Sequence, residues 1–266
     1  VDYSIDELDL KMREIINKWH LGTRQGNDGD PGNTLEDLLG IQENNFSLPD
    51  FGRIEIKTKK SEGGGLLTLF HKEPKPSASV PKLLLSMGWR HQKAGKKYPE
   101  NEKSFRSTTP GNRFTCRGYK IEIDENKIYF IFNKSKVEVA QKDDTGIYQN
   151  YGDWLKDIEN RKYPHYSNVI PLYYDLDDVI DTFKTKLSNT MLAFRKTRTR
   201  NKQKYYLYDE VFLMDEIVTD NLPTLIRDGS LFIDFDARTG HNHGTKFRIK
   251  KSELPRLFSN YKTFAK

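Results

Sequence analysis

The apolar residues change period within the first seventy positions. Ile5, Leu8, Met12, Ile15, Ile16 and Trp19 recur at helical spacing and predict an amphipathic helix over 5–19. Ile54 and Ile56 instead alternate with Glu55 and Lys57, which predicts a strand over 51–59, and a second strand over 66–70 follows three consecutive glycines. Between the two patterns lies a long glycine-rich loop, Gly22 to Gly32. Asn33 or Thr34 is then placed to cap a short helix running through Leu39, with Gly40 to stop it. A chain that carries both periods this close together is neither an all-helical bundle nor a pure sandwich.

The remainder keeps that mixture. Residues 72–118 are rich in Lys, Arg, Pro, Gly and Ser with little periodicity, so long loops are expected there. Strands are predicted over 119–123 and 128–132, joined through Asp124-Glu125-Asn126, and helices over 151–160 and 176–188. A hairpin of 191–198 and 205–211 follows, with its tip at 200–204. A short helix near 221–228 then leads to a strand over 231–238, a loop over 239–244 and a strand over 246–250. No internal repeat and no linker composition interrupts the chain, so the expected class is α+β with a mixed sheet.

Charge is segregated along these 266 residues. The net +6 divides into −7 over residues 1–52, +11 over 53–120, −4 over 121–194 and +6 over 195–266. Two basic blocks separated by an acidic stretch point to a polyanion held from two sides, nucleic acid first among the possibilities. Aromatic residues at 12% are enough for a core. No apolar run approaches the ~20 residues of a membrane helix, and residues 1–10 have neither a basic nor an apolar signal region, so membrane and secreted classes are not expected. The lone Cys116 cannot form an internal disulfide and lacks the companions of a zinc site, which fits a reducing cytoplasm.

Three stretches carry chemistry. In Pro49-Asp50-Phe51-Gly52-Arg53-Ile54-Glu55-Ile56-Lys57, strand alternation puts Glu55 and Lys57 on one face, and Asp50 can join them from the preceding turn. Two carboxylates with the Ile56 carbonyl form a hard-oxygen site suited to magnesium, beside an ammonium able to orient water toward a phosphodiester. The same residues also suit a solvated strand face with a salt bridge. Glu36, three residues after Asn33, fits a capping box or a helix-surface charge. In the second stretch, Asp234, Asp236, Arg238, His241, Asn242, His243 and Arg248 suit a strand pair reading base edges in a major groove. His241 and His243 could instead bind a metal, or the hairpin could be simply hydrated. The third is the run Arg195 to Lys204, six basic residues in ten, with Arg195, Lys196, Arg198 and Arg200 as phosphate contacts or a solvated edge. His71 and Lys72, at the end of the second strand, are further phosphate contacts.

Taken together, Gly32-Asn-Thr-Leu-Glu36-Asp-Leu-Leu39, Pro49-Asp50-Phe with Ile54-Glu55-Ile-Lys57-Thr58, Leu66 to Phe70 and His241-Asn-His243-Gly-Thr-Lys-Phe-Arg248-Ile resemble the MvaI/BcnI type II restriction endonucleases, which are similar in fold to the mismatch-repair nickase MutH. The resemblance implies a PD-(D/E)xK restriction-endonuclease-like (MutH-like) mixed sheet core with flanking helices and DNA-reading hairpins. It implies one chain of two lobes around a DNA cleft, catalytic over about 1–150 and recognition over about 151–266. It also implies magnesium, replaceable by manganese, held through Asp50, Glu55 and the Ile56 carbonyl, with Lys57 acting on the attacking water and Glu36 as an additional active-site carboxylate. The implied enzyme is a bacterial cytoplasmic monomer that nicks each strand of a short pseudosymmetric double-stranded site in turn, leaving 5′-phosphate and 3′-hydroxyl ends. A cognate DNA methyltransferase acts on the same site without a stable complex. The alternatives are a MutH-like repair nickase and, in another class, a non-catalytic DNA-binding module. The family's reading loop usually carries Asp in the middle where this chain has Asn242, and Asp234 and Asp236 compete for one register.

Overall fold

A computed structural model describes residues 5–41, 55–61, 65–161, 172–187 and 189–265. The chain packs as two units that are not consecutive halves: residues 1–67, 181–219 and 251–266 form one, and residues 68–180 and 220–250 form the other. No helix among the described residues is long and apolar enough to cross a membrane.

The first unit opens with helix α1 (Ile5–Ile15), four residues shorter than the apolar spacing predicts. Asn17 takes a left-handed φ of 60°, and the chain turns into β1 (Trp19–Leu21). Trp19 thus leaves the helical stripe and lies under the Arg198 guanidinium, 4.2 Å from its ring centre. Helix α2 (Asp30–Leu39) begins ahead of the expected cap at Asn33 or Thr34. Pro31 sits in its first turn, where a missing N–H costs nothing. Gly40 ends it with φ 77°, as its position suggested. Strand β2 (Glu55–Lys60) follows; the expected strand residues 51–54, and Asp50, lie outside the described residues.

In chain order the second unit then takes β3 (Leu67–His71), α3 (Ser79–Met87), β4 (Trp89–Arg90), β5 (Lys103–Pro110), β6 (Arg117–Ile123), β7 (Lys127–Val137), α4 (Tyr151–Glu159) and β8 (Leu172–Asp175). The loops expected over 72–118 are therefore interrupted by α3, β4 and β5. Val80, Leu83, Leu84 and Met87 do keep helical spacing and are buried, but the flanking Lys and Pro residues mask them. In β5 only Phe105 is a large apolar side chain, because the opposite face is exposed. Helix α5 (Leu176–Leu187) leads to the hairpin β9 (Asn189–Arg200) and β10 (Gln203–Ile217). Its tip is tighter than expected: Asn201 and Lys202, with φ 50° and 63°, close a two-residue turn. Helix α6 (Leu222–Arg227), β11 (Leu231–Arg238), β12 (His241–Asn242), β13 (Lys246–Ile249) and β14 (Phe258–Ala265) complete the chain, the last of these not expected from the sequence.

In the first unit the strand order is β1-β10-β9-β2, with β14 also pairing β10; β2 runs parallel to β9 and the other pairs are antiparallel, so the sheet is mixed. Leu8, Met12 and Ile15 of α1 and Leu35 and Leu39 of α2 pack with Ile56, Met191, Ala193, Tyr206 and Tyr208 in one core. The second unit contains the sheet β3-β13-β11-β5-β4, with β12 beside β11, and the sheet β6-β7-β8. Phe105, Tyr119, Phe130 and Phe235 make edge contacts in its core, Phe130 and Phe235 with centroids 4.7 Å apart.

One polar cluster fixes α2 to the first sheet. Asp30 is fully buried and accepts hydrogen bonds from the Tyr206 hydroxyl at 2.6 Å and the Arg24 N–H at 2.7 Å. The Tyr208 hydroxyl donates to the Pro31 carbonyl at 2.6 Å. Burial and the Asp30 carboxylate push the Tyr206 pKa up to about 12. Tyr206→Phe leaves a buried carboxylate oxygen without its donor, and the expected cost is about 1–3 kcal/mol, read as a lower denaturant midpoint at unchanged m value.

Candidate functional site

The catalytic residues proposed from sequence fall in the first unit. Strand β2 is unbroken, with Glu55 opposite Thr190, Ile56 opposite Met191 and Lys57 opposite Leu192 on β9. Ile56 turns its side chain into the core and Lys57 is half-buried. Glu36 is half-buried on α2 and comes close to β2: a methyl group added at Gly32 would stand 3.9 Å from both Glu36 Oε1 and Thr58 Oγ1. Asp50 and the Glu55 side chain lie outside the described residues. The donors on α2, on β2 and at Asp50 are carboxylates and a carbonyl, with no Cys or His among them, and this chemistry suits a hard divalent cation.

The basic run lies on the β9–β10 hairpin of the same unit. Lys196, Arg198 and Arg200 are exposed; Lys196 pairs with Asp209 at 3.2 Å, and Arg198 stacks on Trp19. Arg195 is half-buried over the Tyr206 ring at 5.3 Å and donates to the Thr197 hydroxyl at 2.6 Å.

The second constellation gathers in the second unit. Phe235 faces the core, so Asp234, Asp236 and Arg238 form the outward row of β11. Both aspartates are held: Asp234 accepts from Arg248 Nη1 at 2.9 Å and the Thr108 hydroxyl at 2.8 Å, and Asp236 pairs with Arg106 at 3.0 Å and Lys246 at 3.5 Å. Arg238 pairs with buried Glu102 at 3.0 Å and lies over Tyr98. The two loop histidines meet edge to face with centroids 4.3 Å apart, and the His243 N–H donates to the Asp236 carbonyl at 2.9 Å. Desolvation lowers the His243 pKa from its ordinary value against the opposing pull of Asp236. Among the described residues no group of three His, Cys, Asp or Glu side chains is placed to hold a metal, so no third ligand joins this pair there.

His71 and Lys72 belong to the same cluster as the loop. Gly244, with φ 82°, passes so close to the end of β3 that a Cβ would lie 2.8 Å from His71 Nδ1, and the Lys72 N–H donates to the Thr245 carbonyl at 3.0 Å. Glu73 completes the dock, accepting from the Asn242 side-chain amide at 2.8 Å and from the Thr245 N–H at 2.9 Å. Asn242 in turn accepts from the Gly244 N–H at 3.0 Å. Sequence reasoning missed Glu73, Glu102, Arg106 and Thr108. The only signal for the last two was the weak alternation of Phe105, Ser107 and Thr109 against them.

Against this geometry, the family model described as the MvaI/BcnI restriction endonuclease family matches residues 10–258. The chain belongs to that family. It is accordingly a site-specific DNA endonuclease, a hydrolase of phosphodiester bonds. Two solved structures are similar to it, each 23% identical: restriction endonuclease MvaI in complex with its cognate DNA substrate, with TM-score 0.75 over 98% of both chains, and MvaI in the absence of DNA, with TM-score 0.51 over 100% of this chain and 99% of that one. These likenesses concern the fold, which is the restriction-endonuclease-like α+β fold expected from the sequence. Comparison with curated proteins gave no match.

Asn242 is thus the amide that the carboxylate of Glu73 requires, and an Asp there would set two acceptors against each other. Asn242→Asp is expected to speed amide exchange at Thr245 by about tenfold, and Asn242→Asp with Glu73→Gln to restore it, because donor and acceptor then exchange sides. Both residues are exposed, so overall stability should move by less than about 1 kcal/mol.

Proposed function

We propose that this endonuclease is a magnesium-dependent type II enzyme that cuts a short pseudosymmetric site in double-stranded DNA. What supports this most is the family match spanning 10–258 together with the unbroken β2 ladder that carries Glu55, Ile56 and Lys57 beside α2. Asp50, Glu55 and the Ile56 carbonyl would hold the cation, with manganese as a substitute. When bound, the ion supplies Lewis-acid stabilisation of charge on the attacked phosphate. Lys57 orients the attacking water through its ammonium, and Glu36 contributes a further carboxylate from the helix. Water oxygen forms the new bond to phosphorus as the bond to the 3′-oxygen breaks, leaving 5′-phosphate and 3′-hydroxyl ends.

The two jobs fall to the two packing units. The first carries the cutting residues and the phosphate contacts Arg195, Lys196, Arg198 and Arg200. The second carries base contacts through Asp234, Asp236, Arg238, His241, Asn242, His243 and Arg248, with His71 and Lys72 at the backbone. A monomer with one catalytic centre nicks each strand in turn, and a separate methyltransferase modifies the same site. The runner-up, a MutH-like nickase, shares every part of this chemistry and differs only in stopping after one strand.

Incubation with supercoiled plasmid tests these points together. Magnesium should give open circles first and discrete linear fragments later, with no products under chelation. Accumulation of open circles alone identifies the nickase. Lys57→Ala and Glu55→Ala should each lower the cleavage rate by about 10²–10⁴ while leaving site binding intact. A folded Lys57→Ala variant that cuts at the parental rate removes Lys57 from the active site.

A further inference from the structure

Strand β11 is flanked on both sides by cations that its outward carboxylates hold. On the β13 side, Arg248 Nη1 lies 2.9 Å from Asp234 Oδ2; on the β5 side, Arg106 Nε lies 3.0 Å from Asp236 Oδ1. The first contact is a hydrogen bond; the second is an ion pair whose geometry makes no hydrogen bond to Oδ1. Each is a carboxylate of β11, 13% or 25% exposed, carrying an arginine from a neighbouring strand. Arg106 directly opposes Asp236 in register, whereas Arg248 opposes Phe232.

Arg106 is the more available of the two, with its side chain 63% exposed against 27% for Arg248. Its ion pair with Asp236 uses Nε and leaves Nη1 and Nη2 uncommitted in that pair. Their edge is the planar fork that matches O6 and N7 of guanine. Arg106 also borders, with Thr108, Asp234 and Asp236, an open groove of about 630 Å³. Asp236 Oδ1 is itself shielded from solvent and accepts no hydrogen bond, so the Arg106 guanidinium 3.0 Å away is the charge that compensates it. Its charge therefore favours keeping the guanidinium in place, which lowers the ordering cost of using it.

We propose that Arg106 is a specificity-determining residue that reads a guanine in the major groove through its Nη fork, with Asp236 as its positioning residue. This rests on the proposed function, in which β11 and β13 face the bases. It adds β5 as a third reading strand and puts arginines on both sides of β11, Arg106 from β5 and Arg248 from β13.

The test uses the full chain without cleavage, by binding labelled duplexes once the site has been mapped from fragment ends. Each guanine is replaced in turn by 7-deazaguanine, which lacks the N7 acceptor. The parent should lose about 10- to 100-fold in affinity at two guanines. Arg106→Ala should suffer a similar loss on the intact site and then be indifferent to 7-deazaguanine at one of those positions while keeping its sensitivity at the other. Arg106→Lys, which keeps the charge but not the fork, should behave as Arg106→Ala does. Arg106→Ala that binds like the parent overturns the proposal. So does Arg106→Ala that weakens site and non-site duplexes equally with a salt slope smaller by about one, the mark of a phosphate contact. A parent that does not distinguish site from non-site DNA at all overturns the proposed function instead.

Discussion

The first packing unit is built around a buried carboxylate that must be satisfied. Asp30 is fully enclosed at the start of α2, and a lone ionised group in that position would be prohibitive. Tyr206 from the middle of β10 and the main chain of the preceding loop supply its donors, and Tyr208 ties the next residue of the helix to the same strand. Both tyrosines lie on a strand that β9 links to β2. The helix bearing Glu36 and the strand bearing Lys57 are thereby referenced to one sheet.

The second unit solves a different problem, that of keeping many charges on one sheet face without repulsion. Alternation along β11 sends Phe235 inward and Asp234 and Asp236 outward, and β5 and β13 answer those acids with Arg106, Lys246 and Arg248. Each surface pair adds little stability by itself. Their value lies in geometry: a guanidinium held by a carboxylate presents its remaining donors in a fixed plane. The loop carrying His241, Asn242 and His243 is tied down in the same way, through the Glu73 carboxylate and a main-chain bond from Lys72 to Thr245.

The periodic signals translated into structure where one face was apolar and the other polar. Helix α2 through Leu39, the β9–β10 hairpin, β11 and the Gly40 stop were all legible for that reason. The failures share a cause. Trp19 completes a helical stripe in the sequence, yet it belongs to a strand because the backbone of 19–21 pairs with 205–207 of β10, nearly 190 positions away. Strand β5 is half serine and threonine, since its outer face is wet and its inner face needs only Phe105 and small groups, so no hydrophobic alternation marks it.

The sequence by itself determined the class of fold, the family, and the residue types from which a phosphodiester-cleaving centre and a base-reading loop can be made, because these depend on local period and on chemically distinctive motifs. Only the tertiary structure decided the partnerships. That Asp236 holds Arg106, that Glu73 holds Asn242, and that residues 181–219 join the first unit and not the second are consequences of strand pairing between distant segments. Such pairing is set by the summed burial and register of whole strands, and no short stretch of sequence contains it.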